Sequence, residues 1–359
     1  MSESSKPPSL PGFEVYLDEM ETKQARKKAA RRKPEKRGAG GLSRLGDLIA
    51  AAPQLDMLAH PTPIQNRLLD AAAVIDGASD QPREILYQHT VLCQTSLPYR
   101  DPGDEVRTWV RSNGTVQLKV NAGEAMHPVE GRFVELGLPF GPKARIILMH
   151  INQQALLAKS PEVDVQRSLT RFVGRTLKLD SHGRNMRTVK DQLGRLAAAS
   201  IRLGVVRDGH ALTVNSQIVT AFDIWFPKDE RQHVLWPSTV RLSLDYWESL
   251  KTHAVPLDEN AIAALSHNAL ALDIYAWLAQ RLHRIPVGKS ALIPWPILQA
   301  QFGLNYDRLR KFREVFRTAL KQAATVYRGA RFEVGEQGMT LWHSPPPVAP
   351  RLFLSGGKP

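Results

Sequence analysis

The order of the predicted helices and strands repeats once along the chain. In each repeat, three helices precede a two-stranded hairpin. The first repeat has helices predicted over residues 142–158, 168–177 and 187–201 and a hairpin that turns at Asp208-Gly209. The second has helices over residues 268–282, 294–302 and 306–326 and a hairpin over residues 331–342. Residue identity between the repeats is slight, so the pattern recurs rather than the sequence. This pattern predicts an α+β fold with two tandem winged-helix domains.

Shifts in composition divide the chain into four parts. Nine basic residues crowd between Lys23 and Arg37, and the last residues are rich in proline and glycine. We therefore predict a basic, largely disordered arm that contacts nucleic acid, two winged-helix domains and a flexible tail, over residues 1–59, 60–232, 233–345 and 346–359 respectively. A solubilising tail or a nuclear-localisation patch would give the arm the same composition.

The net charge indicates the class of partner. The chain has 48 Lys+Arg against 35 Asp+Glu, a formal charge of +13, and its pI is about 9.9. A positive surface potential favours polyanions such as nucleic acid. A membrane surface or an acidic protein would also fit this charge.

Cysteine content and hydropathy indicate the compartment. The chain has one cysteine, Cys93, which cannot form an intrachain disulfide, and this favours a reducing environment. The N-terminus has no apolar core typical of a secretory signal, and no apolar run approaches the ~20 residues that span a bilayer. We expect a cytoplasmic bacterial protein that does not contact a membrane.

The third helix of the second repeat has one apolar face and an excess of cations. Leu309, Phe312, Phe316, Leu320 and Ala323 recur at spacings of three and four and predict the buried stripe. Six cations stand against only Asp307 and Glu314; they are Arg308, Arg310, Lys311, Arg313, Arg317 and Lys321. Arginine reads guanine with two hydrogen bonds, and both cations pair with phosphates. We predict that this helix enters the DNA major groove, although a solvated charged helix would share the pattern.

The third helix of the first repeat shows a weaker form of the same pattern. It and its entry loop carry one acidic residue, Asp191, and four cations, Arg184, Arg187, Lys190 and Arg195. We predict that these four cations also contact DNA.

Patterns that support catalysis are lacking in the sequence. The histidines show neither H-x-H nor H-E-x-x-H spacing, and the sequence has no C-x-x-C motif, so we expect no metal site. Val287-Gly288-Lys289-Ser290 resembles the end of a phosphate-binding loop, but the first glycine of that motif would fall at His283. We predict no cofactor, no catalytic residue and no enzymatic activity.

Several stretches resemble the plasmid-encoded RepA-type replication initiators. The most specific is GLPFGPKAR at residues 137–145, and VKDQLGRLAAASIRL, residues 225–258 and residues 269–285 extend the similarity. The resemblance implies two winged-helix domains that bind repeated double-stranded sites, called iterons, in a plasmid origin. It also implies melting of adjacent DNA and recruitment of a host initiator and a replicative helicase. Members of related groups switch between dimers that repress and monomers that initiate, so the resemblance also implies a homodimer and control of plasmid copy number. It assigns no role to the GPKAR segment.

The leading hypothesis is therefore an origin-binding plasmid replication initiator. A sequence-specific transcriptional repressor would share the DNA-binding pattern. An alternative of another class is a nucleic-acid-processing enzyme such as a nickase or primase, and a third is an RNA-binding or assembly protein.

Overall fold

The computed structural model describes residues 61–77, 84–114, 116–127, 130–165, 171, 173–174, 184–207, 210–214, 218–225, 236–303 and 306–348. These residues all fall in one compact unit, Met57–Pro359. The predicted basic arm, most of the predicted helix over residues 168–177, and all but three residues of the predicted tail lie outside the described part. The mixture of helices and strands confirms the α+β class.

The N-terminal part of the described chain forms helices and short antiparallel strands. Its elements are α1 (Pro63–Gly77), β1 (Ile85–His89), α2 (Thr90–Gln94), β2 (Thr108–Asn113), β3 (Val116–Asn121), β4 (Glu124–Met126) and β5 (Phe133–Glu135). Residues 87–94 have the composition of a strand throughout, yet only residues 87–89 belong to one, and residues 90–94 form a helix. The chain turns into α2 because the His89 side chain accepts a hydrogen bond from the Val91 backbone N–H and so caps the helix.

The middle of the chain contains the first repeat. It comprises α3 (Gly141–Ala158), β6 (Glu162–Asp164), α4 (Arg184–Ala198), β7 (Ser200–Arg207), β8 (His210–Val214), β9 (Val219–Trp225) and β10 (Trp236–Leu242). Gly141 adopts a φ of 71°, and Pro142 follows in the first turn of α3, where its missing N–H leaves no hydrogen bond unmade. The helix ends at Lys159, which adopts a left-handed conformation.

The C-terminal part contains the second repeat. It comprises α5 (Leu244–His253), β11 (Ala254–Asp258), α6 (Glu259–Leu265), α7 (Ala269–Arg281), β12 (Ser290–Pro294), α8 (Trp295–Phe302), α9 (Leu309–Val326), β13 (Phe332–Val334) and β14 (Gly338–Trp342). Side chains of Ser243, Asp258 and Asn268 cap α5, α6 and α7 by accepting backbone N–H bonds.

Two three-stranded sheets share one strand order. In the first repeat the order is β6-β10-β9, and in the second it is β12-β14-β13. In each sheet the strand that comes last in the chain therefore lies in the middle and pairs with the other two. The turn predicted at Asp208-Gly209 makes β7 and β8 the expected hairpin of the first repeat. That hairpin forms, but β7 pairs with β3 and completes a separate four-stranded sheet, β2-β3-β7-β8. The counterpart of the β13–β14 hairpin is therefore β9–β10.

The pairing of β9 with β10 bears on the domain boundary. The predicted boundary at residues 232 and 233 lies in the connection between these two strands. Their pairing favours a boundary after Leu242, and the division into domains stays a prediction.

The N-terminal elements pack on the C-terminal half of the chain. Strand β1 pairs antiparallel with β11, with Ile85 opposite Asp258 and His89 opposite Ala254. Helix α1 packs against α6 and α9, and Arg67 donates a hydrogen bond to the Ala264 carbonyl. No helix of the described part is both long and apolar enough to cross a bilayer.

A buried ion pair joins α3 to α7. The Arg145 guanidinium, 2% exposed, donates to both carboxylate oxygens of Asp273 at 2.6 and 2.8 Å. Its remaining N–H groups donate to the carbonyls of Leu97, Pro98 and Gly141. Arg145 is the last residue of the GPKAR segment, so the structure gives this segment a role in packing.

Candidate nucleic-acid interface

Helix α9 is held in the fold by one apolar face. Phe312, Phe316, Leu320 and Ala323 are each at most 2% exposed, which confirms four positions of the predicted stripe. Leu309 is half-buried at the helix start. Because α7, α8 and α1 pack against this face, the remaining circumference of α9 is free to carry charge.

The predicted cations of α9 differ in how far they are exposed. Arg308, Arg310, Lys311, Arg317 and Lys321 are exposed, whereas Arg313 is half-buried. At 100° per residue, Arg310, Arg317 and Lys321 lie within about 40° of one another on one flank of the helix. Lys311 lies on the other flank, where it forms an ion pair with Glu314 at 3.1 Å. The structure therefore brings the three unopposed cations together and sets Lys311 apart.

Trp295 lies beneath two of these arginines. The guanidinium carbons of Arg313 and Arg317 are 5.2 and 5.4 Å from the centre of its ring. The sequence places this tryptophan in the helix predicted over residues 294–302, and its contact with the two arginines was missed. A tryptophan at the start of the preceding helix, beside an arginine pair at spacing four, is the signal that could have found it.

Helix α4 resembles α9 in having one buried apolar face, but fewer of its cations are exposed. Val189, Leu193 and Leu196 are buried, and Arg187 is exposed. Lys190 is half-buried, and burial lowers its pKa. Arg184 is the first residue of the helix, and its side chain lies outside the described part.

Arg195 is engaged inside the fold. Its guanidinium donates to Asp191 at 3.0 Å, lies 3.8 Å from Asp101 and stacks on the Phe140 ring, with only 14% of its side chain exposed. These contacts satisfy its charge within the protein. This arrangement does not favour the predicted contact of Arg195 with DNA.

The described residues contain no group of three or more His, Cys, Asp or Glu side chains placed to hold a metal ion. In the segment 287–290, Lys289 is exposed, and Gly288 adopts a φ of 79° in the loop before β12. The candidate site is defined by the exposed cations of α9 and by the exposed Arg187 of α4.

Comparison with known families gives one match. Residues 138–296 match the family described as plasmid-encoded RepA protein. The match begins inside GLPFGPKAR, at Leu138, and confirms the resemblance expected from the sequence. It extends from α3 to the start of α8, so α9 lies beyond it. No curated protein matches the chain.

Solved structures similar to this chain include two crystal structures of RctB domains 2 and 3. The first, of selenomethionine derivatives, has a TM-score of 0.44 and 10% sequence identity and covers 70% of this chain and 96% of that one. The second has a TM-score of 0.40 and 10% identity and covers 67% of this chain and 83% of that one.

Proposed function

We propose, from the match of residues 138–296 to the family of plasmid-encoded RepA proteins, that this chain is a replication initiator. It would bind repeated double-stranded sites in plasmid origin DNA through two winged-helix units. The proposal includes local melting of the origin, recruitment of host initiator and replicative helicase, and a homodimeric state. These finer steps rest on the family resemblance.

Topology supports two winged-helix units. Each repeat has a long buried helix, a short strand, a helix α4 or α9 with a cationic surface, and a closing hairpin. The hairpins β9–β10 and β13–β14 join their sheets in the same order. In winged-helix proteins the hairpin is the wing and the helix before it is the recognition helix, so α4 and α9 are the elements that we assign to the major groove.

The cationic flank of α9 is the observation that carries DNA binding. Arg310, Arg317 and Lys321 are exposed, lie on one flank and have no ion-pair partner in the described part of the chain. Arginine on a groove-bound helix reads guanine O6 and N7, and lysine pairs with phosphate. Two such helices on one chain reach successive major grooves about 34–36 Å apart, which suits a repeated site. Arg184, Arg187 and Lys190 are the corresponding cations of α4.

Substitution of the α9 arginines tests this proposal. We expect R310A or R317A to weaken binding to the DNA that flanks the gene by about 1–3 kcal/mol, with little loss on a scrambled duplex, if the arginine reads a base. Equal losses on both duplexes would assign the residue to a phosphate contact. The control is R132A, which removes an exposed arginine from the β4–β5 hairpin and should leave both affinities unchanged. Unchanged binding in R310A, R317A and K321A together would refute the interface.

Footprinting separates an initiator from a repressor. Tandem protected blocks at a regular multiple of the helical turn are expected for an iteron-binding protein, whereas a single palindromic block would favour a repressor.

We further propose that the chain has no catalytic activity of its own. Supercoiled origin DNA incubated with the protein and a divalent metal should therefore stay intact, and nicks or covalent adducts would indicate an enzyme.

A further inference from the structure

Trp295 connects α8 to the closing hairpin of the second repeat. The residue is fully buried at the start of α8. Its indole N–H donates to the Gly335 carbonyl at 3.1 Å, and its backbone N–H donates to the Gln337 carbonyl at 3.1 Å. Both acceptors lie at the turn between β13 and β14. The position of the ring is therefore fixed relative to this turn.

The same ring also carries two arginines of α9. Phe312 and Phe316 contact it edge-on, with centroids 6.3 and 5.8 Å away, and Arg313 and Arg317 lie within 5.2 and 5.4 Å. A guanidinium over an indole is attracted by the negative face of the ring. Arg313 Nε is buried and finds no hydrogen-bond partner among the described residues, so the ring is the contact made by this part of the guanidinium.

Holding two guanidiniums over one ring has consequences for ligand binding. An arginine that is free in solvent loses rotamer entropy when it is fixed in a complex, and a stacked arginine has lost part of this entropy before binding. Two guanidiniums over one ring also concentrate positive charge, which attracts an acceptor-rich groove edge or a phosphate. The arrangement is therefore prepared for a polyanion.

We propose that Trp295 is the positioning residue of the second unit: it fixes the Arg313 and Arg317 guanidiniums and the β13–β14 turn in one geometry for reading duplex DNA. The inference rests on the proposed function, because α9 must contact DNA for the geometry to matter. It adds a residue that touches no DNA itself and acts through the two arginines.

A double-mutant cycle tests this role. Binding of the full chain to a labelled duplex from the DNA flanking its gene is measured for W295L, R313A/R317A and the triple variant. We expect W295L to lower the affinity about tenfold alone and less than about twofold when the two arginines are already alanine. A purely structural role predicts the same loss in both backgrounds, and that result would overturn the inference.

Matched variants keep the test decisive. Trp277 is equally buried in the same half of the chain, packs on Phe302 with centroids 5.4 Å apart and has no cation over its ring in the described part. W277L should therefore change affinity by the same factor with or without the arginines. If W295L does not fold, W295F replaces it in the cycle. Phenylalanine loses the bond to Gly335 that fixes the position of the ring, so we expect a smaller loss of affinity than in W295L, and this loss should likewise disappear when both arginines are alanine. Unchanged affinity in R313A/R317A, or additive losses in the cycle, would overturn the role of Trp295. The assignment of α9 to DNA would fall only if R310A, R317A and K321A also left binding unchanged.

Discussion

The Arg145 guanidinium is buried between elements that lie far apart in the chain. Two carboxylate oxygens of Asp273 and three backbone carbonyls accept its hydrogen bonds, and the Tyr99 ring lies 5.0 Å away. A buried pair of this kind has a large desolvation cost that only complete hydrogen bonding offsets. The most specific segment of the family resemblance therefore maintains the packing of α3 on α7 and on the loop at residues 97–98.

Removing one member of this pair should be strongly destabilising. We expect D273N to lower the free energy of unfolding by about 3–5 kcal/mol, because it leaves the Arg145 charge buried without its counter-charge. Urea unfolding followed by circular dichroism measures the change. The control is E162Q, which breaks the exposed pair of Glu162 with Arg241 and should cost about 0–1 kcal/mol. A loss below about 1 kcal/mol for D273N would contradict this role.

Two buried histidines predict loss of stability in mild acid. Burial lowers the pKa of His150 to about 4, and burial together with the charge of His253 lowers the pKa of His89 to about 3. The unfolded imidazoles take up protons near pH 6.5, so the unfolded state binds more protons below that pH and the free energy of unfolding falls. We expect each histidine to contribute a loss of about 2 kcal/mol between pH 7.5 and pH 5. Urea titrations at both pH values should show a smaller loss in H150Q, and an equal loss would contradict the assignment to His150.

At the scale of elements, the β13–β14 hairpin depends on the close approach of two strands. Gly338 lies opposite Pro294 on β12, and a Cβ placed at this position would overlap the Ile293 carbonyl. The neighbouring Gly335 has open space, because its nearest atom, the Gly338 carbonyl oxygen, is 3.9 Å from a Cβ built there. The two glycines of one turn thus have different roles.

This contrast gives a matched pair of substitutions. We expect G338A to destabilise the protein by about 1–3 kcal/mol, or roughly 2–5 °C in Tm for a core of this size, because a backbone oxygen cannot move aside without breaking strand pairing. G335A should change Tm by less than about 2 °C. Differential scanning calorimetry of the two variants measures both values. Equal shifts would show that the close approach at Gly338 is not what selects glycine.

The elements also show what could be predicted from sequence. The apolar spacing of Phe312, Phe316 and Leu320 is local, and the helix that it predicts is confirmed. Strand pairing is not local: β7 and β8 form the predicted hairpin, yet they join β3, whereas the hairpin of the first repeat is β9–β10. Arg145 and Trp295 were missed as contact-forming residues because their partners lie 128 and 40 residues away, respectively. Propensity and periodicity describe one segment at a time and do not report such partners.

At the scale of the whole molecule, the two repeats are not linked by a simple tether. Strand β1, which precedes the first repeat, pairs with β11, which precedes the second, and α1 packs on α6 and α9. Arg328 after α9 also forms an ion pair with Asp76 of α1. Together with Arg145 and Asp273, these contacts join both repeats into one core, so the separation of α4 and α9 is set by packing.

We expect this core to unfold in a single transition. Most of the tryptophans lie in the C-terminal half, whereas helices occur in both halves. Denaturation curves from tryptophan fluorescence and from far-ultraviolet circular dichroism should therefore coincide. Two separated transitions would show that the repeats fold independently.

The pairing of β1 with β11 also affects how the protein is made. A ribosome synthesises the partner of His89 about 165 residues after His89 itself, which takes roughly 10–30 s at ordinary rates of translation. During that interval the edge of β1 is without its native partner, and a nascent strand edge is open to capture by chaperones or by other chains. Products that terminate before Ala254 lack the strand that β1 requires, so this pairing cannot form in them.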